Sequence, residues 1–213
     1  MTRKVFWDDP YRTTLDTHIT SVDGDVVTVA ETIFYALSGG QESDAGSIGG
    51  HVVTQARKDS HEIFYTLPTG HGLAANDAIT IEIDWTRRYR LMRLHFAAEL
   101  VLELTCKALG SVEKIGAHIS QDKARIDFDW AENISPLFPQ LTAEAQAIID
   151  ADTPITSAFS DETNERRYWE VVGLARVPCG GTHLKRTGEV GRLSLKRKNV
   201  GRGKERIEIY VSP

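Results

Sequence analysis

The side chains with most to offer chemically lie in two short stretches, His95-Phe-Ala-Ala-Glu99 and Arg176-Val-Pro-Cys179-Gly-Gly-Thr-His183. A thiol, two imidazoles and a carboxylate are the donors that bind a borderline-soft divalent metal such as zinc. His95, Cys179 and His183 alone would leave a fourth position for water, the arrangement of a catalytic zinc. Two roles are open to Glu99. As a fourth ligand it adds a second negative charge beside Cys179, weakens the ion as a Lewis acid and closes the site. Off the metal, one helical turn from a ligand, it is placed to act as general base toward a bound water. Taken singly each residue has a plainer account: a satisfied core histidine, a helical His–Glu pair, a small core thiol.

Something must bring these residues together. Residues 86–109 contain no Pro or Gly, are rich in helix formers and stop at Gly110, which predicts a helix with His95 and Glu99 stacked on one face. Arg88, Met92, His95, Glu99, Leu102 and Cys106 form a single stripe, while Leu94, Phe96, Ala98, Leu100, Val101 and Leu104 make the other faces apolar. A helix apolar all round belongs in a core, and a carboxylate there needs a partner. Cys106 is not a fourth ligand, because eleven residues of helix place it roughly 16 Å from His95 along the axis. Gly180-Gly181 predicts a loop in which Cys179 and His183 turn back toward a common point, with Pro178 stiffening the approach.

His95-x-x-x-Glu99, Cys179-Gly-Gly-Thr-His183, Thr187-Gly-Glu-Val-Gly191 and Ser38-Gly-Gly-Gln-Glu-Ser-Asp-Ala-Gly46 resemble, in the right order over nearly the whole chain, the motifs of the free-standing alanyl-tRNA editing proteins. That family is similar to the editing domain of alanyl-tRNA synthetase and the related domain of threonyl-tRNA synthetase. One departure stands out: the family's helix motif is His-x-x-x-His, and Glu99 fills its second position. The resemblance implies an aminoacyl-tRNA deacylase acting in trans on alanine tRNA mischarged with serine or glycine. It places Gln41 in a recognition position of the Gly-rich motif. A synthetic site sized for alanine cannot strongly reject glycine or serine, so hydrolysis supplies the missing discrimination. Thr182 and Gln41 are the small polar groups available to read a serine hydroxyl.

Composition narrows the alternatives. At 213 residues, 41% hydrophobic and 26% charged, the chain has room for one large or two small soluble domains. No apolar run approaches a membrane span, and the first residues lack a signal peptide's apolar stretch, so a cytoplasmic protein with no membrane partner is expected. The two cysteines are expected as thiol or metal ligand rather than a disulfide. A net charge of −5 argues against a nonspecific nucleic-acid binder. The distribution says more: residues 1–90 carry 8 basic and 13 acidic side chains, residues 176–213 carry 10 and 3. Lys196 and Lys198 in this basic end, with the arginines Arg87, Arg88, Arg90 and Arg93, are candidates for the tRNA backbone; a solvated strand pair is the plainer account. Those arginines crowd the helix end that disfavours positive charge, which a phosphate or a carboxylate from the acidic N-terminal part would offset.

The remaining segments complete the expected fold. Residues 25–33, 51–57, 62–67 and 78–84 alternate and are β-branched, with turns between them, predicting a small β-barrel over residues 1–85. Within it, residues 35–48 form a long loop whose Gly39 and Gly40 let backbone approach a ligand and present N–H groups to it. Residues 86–213 are expected to form an α+β editing domain, a core helix held by an antiparallel sheet. Its strands are expected at 116–120, 124–130, 169–175, 191–198 and 205–211, with a second helix at 141–151 entered at Thr142. His118 is a candidate near the substrate or in the core, and His18, His51, His61 and His71 read as surface. Zinc and misacylated alanine tRNA are the expected cofactor and partner, with oligomeric state open. Three functions compete: the zinc-dependent editing hydrolase; a metal-poor, weak or inactive tRNA-binding relative, favoured by Glu99; and a zinc hydrolase of another small ester. The chain's end at Pro213 predicts no accessory domain for tRNA selection.

Overall fold

A computed structural model describes residues 1–110 and 112–212. The chain is a mixed α+β protein, mostly strand, and divides into two compact units. The first comprises residues 1–38 and 42–90; the second comprises residues 39–41 and 91–213.

The first unit is built on a seven-stranded sheet, antiparallel throughout. Its centre is Thr14–Asp23, paired on one side with Ala78–Ile83 and on the other with Val26–Val29. The alternation in Ala78–Ile83 does what a period of two should, burying Ile79, Ile81 and Ile83 and exposing the residues between. They join Leu15, Ile19, Val27, Ile63 and Tyr65 in one core. The sheet's two edge strands, His51–Val52 and Gln55–Asp59, are separated by only two residues. Val53 N–H bonds to Gly46 O beside one edge and Thr54 N–H to Thr66 O beside the other. The segment thus passes from edge to edge, and the sheet must curl for it to do so.

The long helix, α1, runs Trp85–Leu109. Asp84 begins it, its side chain accepting from Arg87 N–H at 3.0 Å. Three of the four arginines in its unfavourable first half have separate partners. Arg88, without exposure, pairs with Asp44 and donates to Pro10 O at 2.9 Å and Ile33 O at 2.6 Å. Arg87 pairs with Glu42 at 2.8 Å. The carboxylates of the acidic N-terminal part therefore offset these charges. Arg93, also buried, donates to Val190 O and Ser212 O. Arg88 and Arg93 are internal struts, which corrects their assignment to the tRNA backbone.

In the second unit most of α1 is buried, with Leu91, Leu94, Phe96, Leu100 and Val101 unexposed, while Glu99, Leu102, Glu103 and Cys106 are half-buried. A four-stranded antiparallel sheet in the order Glu113–Ile119, Ala124–Asp129, Lys204–Ser212, Arg192–Asn199 supplies Ile126, Phe128, Ile207 and Ile209 to the core. A separate three-stranded sheet runs Thr156–Asp161, Arg166–Val171, Ala175–Pro178. It buries Trp169, whose ring meets Phe96 edge-on at 5.1 Å. One strand over 169–175 was expected, and the chain instead makes a hairpin there. Leu174 N–H bonds to Val171 O, and Gly173 has φ +81°, the left-handed backbone that such a turn asks of its third residue.

The second helix, α2, spans Phe138–Asp150 rather than starting at Thr142. A short turn, Ser135–Leu137, feeds straight into it, and Pro139 fits the first helical turn, where no N–H is needed. Leu141, Ala145 and Ile149 face inward at four-residue spacing.

Candidate metal centre and its pocket

Three pieces of the second unit carry the site. Helix α1 brings His95 and Glu99; the hairpin strand Ala175–Pro178 delivers Cys179, whose N–H continues the ladder to Arg167 O at 2.9 Å; the glycine loop then returns His183. His95 Nε2 lies 3.4 Å from Cys179 Sγ and 3.4 Å from Glu99 Oε1, and His183 Nε2 lies 3.1 Å from Glu99 Oε2. One donor atom from each of the four residues falls within 4.8 Å of all the others. Donors bonded to one tetrahedral zinc at about 2.0–2.3 Å would sit roughly 3.5 Å apart, so the donor set and its spacing fit that ion. Cys106 is outside the cluster and, like Cys179, a free thiol.

The electrostatics follow from crowding ionisable groups out of water. Burial penalises charge on every member, yet the group outweighs it. Glu99 and Cys179 raise His95 well above the ordinary histidine value, and Cys179 and Glu99 raise His183. Burial would push the Glu99 carboxyl up, but His95 and His183 hold it far below the usual carboxylate range. Against burial again, the two histidines draw the Cys179 thiol down to about 7. Cys106 goes the other way, raised by burial and by Glu103.

Residues 39–41 complete the centre. Ile119 N–H bonds to Gly40 O at 2.8 Å, and Gln41 pairs with Ile119 as an isolated parallel bridge. Gly40 has φ +88°, and a Cβ there would stand 2.8 Å from Ala117 O, so this approach requires glycine. Gln41 is fully buried. Its Oε1 accepts from His95 Nδ1 at 2.5 Å and from Thr182 N–H at 3.4 Å, while its Nε2 donates to Thr182 Oγ1 at 3.0 Å. A hydrogen on Nδ1 leaves the His95 Nε2 lone pair facing the other donors, which is how an outer partner fixes a metal-binding tautomer. Gly181 makes room for this contact: a Cβ on it would lie 2.1 Å from His95 Cε1. Neither the His95–Gln41 bond nor the need for Gly181 was visible in sequence, since both join residues more than fifty positions apart.

Beside the donors is a cavity of about 100 Å³ whose walls include Gly39, Ala98, Leu102, Ile119 and Val177, with His95 and Glu99. Thr182 is buried against Gln41. His118 is half-buried and does not line this cavity. His18 is exposed and His51, His61 and His71 are half-buried. Lys196 and Lys198 are both exposed on Arg192–Asn199, two positions apart and so on one face, with the Lys196 ammonium 4.9 Å from the Tyr210 ring centre. Neighbouring basic residues are already engaged: Arg197 with Glu205, Arg206 with Asp127 and Arg186 with Asp152. No helix among the described residues is long and apolar enough to cross a membrane.

Residues 175–208, the stretch bearing Cys179 and His183, match the family described as the threonyl and alanyl tRNA synthetase second additional domain. Over its whole length the chain is similar to proteins named alanyl-tRNA editing protein AlaX-M. It is 29% identical to that of Pyrococcus horikoshii, covering 99% of this chain and 98% of the relative. It is 30% identical to that of Saccharolobus solfataricus, covering all of both. It is also 28% identical to the alanine–tRNA ligase of Methanococcus aeolicus, where 99% of this chain matches only 26% of the ligase. A likeness of that extent, to free-standing proteins end to end and to one segment of a synthetase, places the chain in the AlaX-M family of alanyl-tRNA editing proteins.

Proposed function

We propose that this protein is a zinc-dependent deacylase that hydrolyses seryl or glycyl esters of alanine tRNA in trans. The observation carrying this reading is the convergence of the donor atoms of His95, Glu99, Cys179 and His183, two of which, His95 and Glu99, also line a small cavity. The names of the full-length relatives support the substrate class. Two further expectations stand with it: a small barrel for the N-terminal sheet, supported by the edge-to-edge passage at Val53 and Thr54, and a domain division at residues 85 and 86.

A zinc held there would supply a Lewis acid for the ester carbonyl. His95, Cys179 and His183 would hold it, and Gln41 keeps the His95 Nε2 lone pair directed inward. Glu99 offers two oxygens, one toward each histidine. Off the metal, Glu99 would take a proton from the attacking water; as a fourth ligand it would instead close the site, and the two roles are separated by Glu99→Gln. That water's oxygen bonds to the ester carbonyl carbon, the bond from this carbon to the terminal ribose oxygen breaks, and the proton ends on the ribose hydroxyl. The cavity beside His95 and Glu99 has room for a small aminoacyl group. Thr182 and Gln41 are the candidates for reading a serine hydroxyl, which would have to replace the bond between Gln41 Nε2 and Thr182 Oγ1, and exposed Lys196 and Lys198 are the candidates for the tRNA backbone.

Deacylation of seryl-, glycyl- and alanyl-tRNA by the zinc-loaded chain tests this, with seryl or glycyl ester lost and alanyl ester spared. Gln41→Ala should narrow the gap between seryl and alanyl rates; an unchanged ratio removes Gln41 from recognition. Lys196→Glu with Lys198→Glu should weaken tRNA binding and flatten its salt dependence. Glu99 in place of the family's histidine favours one second reading, a tRNA-binding relative without turnover. Tight tRNA binding with no hydrolysis by metal-loaded protein would select it. A small-ester hydrolase indifferent to uncharged tRNA as competitor would select the third.

A further inference from the structure

One charged group at the cavity has no use in the reaction as described. Glu103 follows Glu99 by one helical turn and His95 by two, so all three share a face of α1, and all three line the same cavity. Glu103 is half-buried and, among the described residues, makes no hydrogen bond or ion pair. Lys114, on the strand Glu113–Ile119, also lines this cavity, is exposed and forms no ion pair with Glu103. Around them the wall is apolar: Ala98, Leu102, Ile126 and Pro178. An unpaired carboxylate on such a wall calls for a cationic partner.

The substrate class proposed above carries one. An aminoacyl ester has an ammonium on the carbon next to its carbonyl, and the geometry points to Glu103 as the group that binds it. A carbonyl drawn to the His95–Glu99 level of the helix leaves the α-ammonium to be met by the next carboxylate along. The four residues from Glu99 to Glu103 rise about 6 Å along the helix, a separation that the length of the two side chains and the carbonyl-to-amine step can span. Glu103 would then select esters with a free amine and reject those whose nitrogen is acylated, as in a peptidyl- or formyl-aminoacyl end. This rests on the editing reading and deepens it.

The test uses two non-hydrolysable mimics of 3′-seryl-adenosine joined through an amide, one with a free α-amine and one N-acetylated. Their affinities for the zinc-loaded chain are measured by calorimetry, for the wild type and for Glu103→Gln. The wild type should prefer the free amine by roughly 10- to 100-fold, the scale of a hydrogen bond between charged groups. In Glu103→Gln that preference should collapse to within about threefold, with melting temperature and zinc content unchanged, which a purely structural role would not produce. A variant that keeps the preference, or a wild type that binds both mimics equally, overturns the assignment and leaves the editing reading standing. A wild type that takes up neither mimic overturns both.

Discussion

Two of the places where this molecule buries charge do it in opposite ways. In the first unit the Arg88 guanidinium is without exposure and meets Asp44, Pro10 O and Ile33 O, so its donors face acceptors. In the second, His95 Nε2, His183 Nε2, Glu99 and Cys179 Sγ point at one another, and every one of these atoms can present a lone pair. The first arrangement is complete within the protein. The second is balanced either by protons, which is why both histidines are pulled up, or by a cation, which satisfies all four donors together. Burial and charge alone would have ranked the two alike; what separates structure from function is whether donors are matched with acceptors.

Substitutions should therefore divide along the same line. Asp44→Ala leaves the Arg88 guanidinium buried and unpaired, and should cost about 3–5 kcal/mol of stability in urea denaturation. Its folded fraction should still bind zinc, and a variant of unchanged stability would show the pair to be dispensable. Cys179→Ala should do the reverse, lowering zinc affinity on the order of 100-fold or more, since even outer-shell changes cost 10–100-fold. The stability of its metal-free form should move by less than about 1 kcal/mol; a large loss would make the cluster a core element instead. Gln41→Ala, which frees His95 Nδ1, should lower zinc affinity by roughly 10-fold. Equal affinity, by competition with a chromophoric chelator, would break the link between Gln41 and the tautomer.

The smallest effect concerns the thiols. In metal-free protein Cys179 should alkylate with a midpoint near pH 7, because below that value the proton returns and the thiolate is lost. Cys106, whose value is raised, should react only at higher pH. Zinc should protect Cys179 alone. Mass spectrometry of the modified peptides reads both, and equal profiles would contradict the crowding of His95 and His183 onto Cys179.

How far this could be read in advance depended on the range of the interactions involved. Helix α1 was legible because composition over residues 86–109 settles it locally, and the stripe bearing His95 and Glu99 followed from the helical repeat. The start of α2 was misplaced at Thr142 because a good capping residue was visible, whereas the turn at Ser135–Leu137 that actually launches the helix carries no side-chain cap. The hairpin at Gly173 hid inside an apolar run that reads as continuous strand. The internal roles of Arg88 and Arg93 escape a sequence reading for a different reason. Their partners are mostly backbone carbonyls far away in sequence, and no residue type announces a carbonyl waiting in the core. The contact from Gln41 to His95 is of the same kind, a long-range bond that only a folded chain reveals.

Metal analysis of protein purified without chelators bears most directly on the claim that these four donors form a cation site. Wild-type protein should carry stoichiometric zinc, clearly reduced in Glu99→Gln if that carboxylate is a ligand and retained if it serves only as base. Folded wild-type protein that carries no divalent metal, and takes up none when zinc is supplied, would contradict the claim.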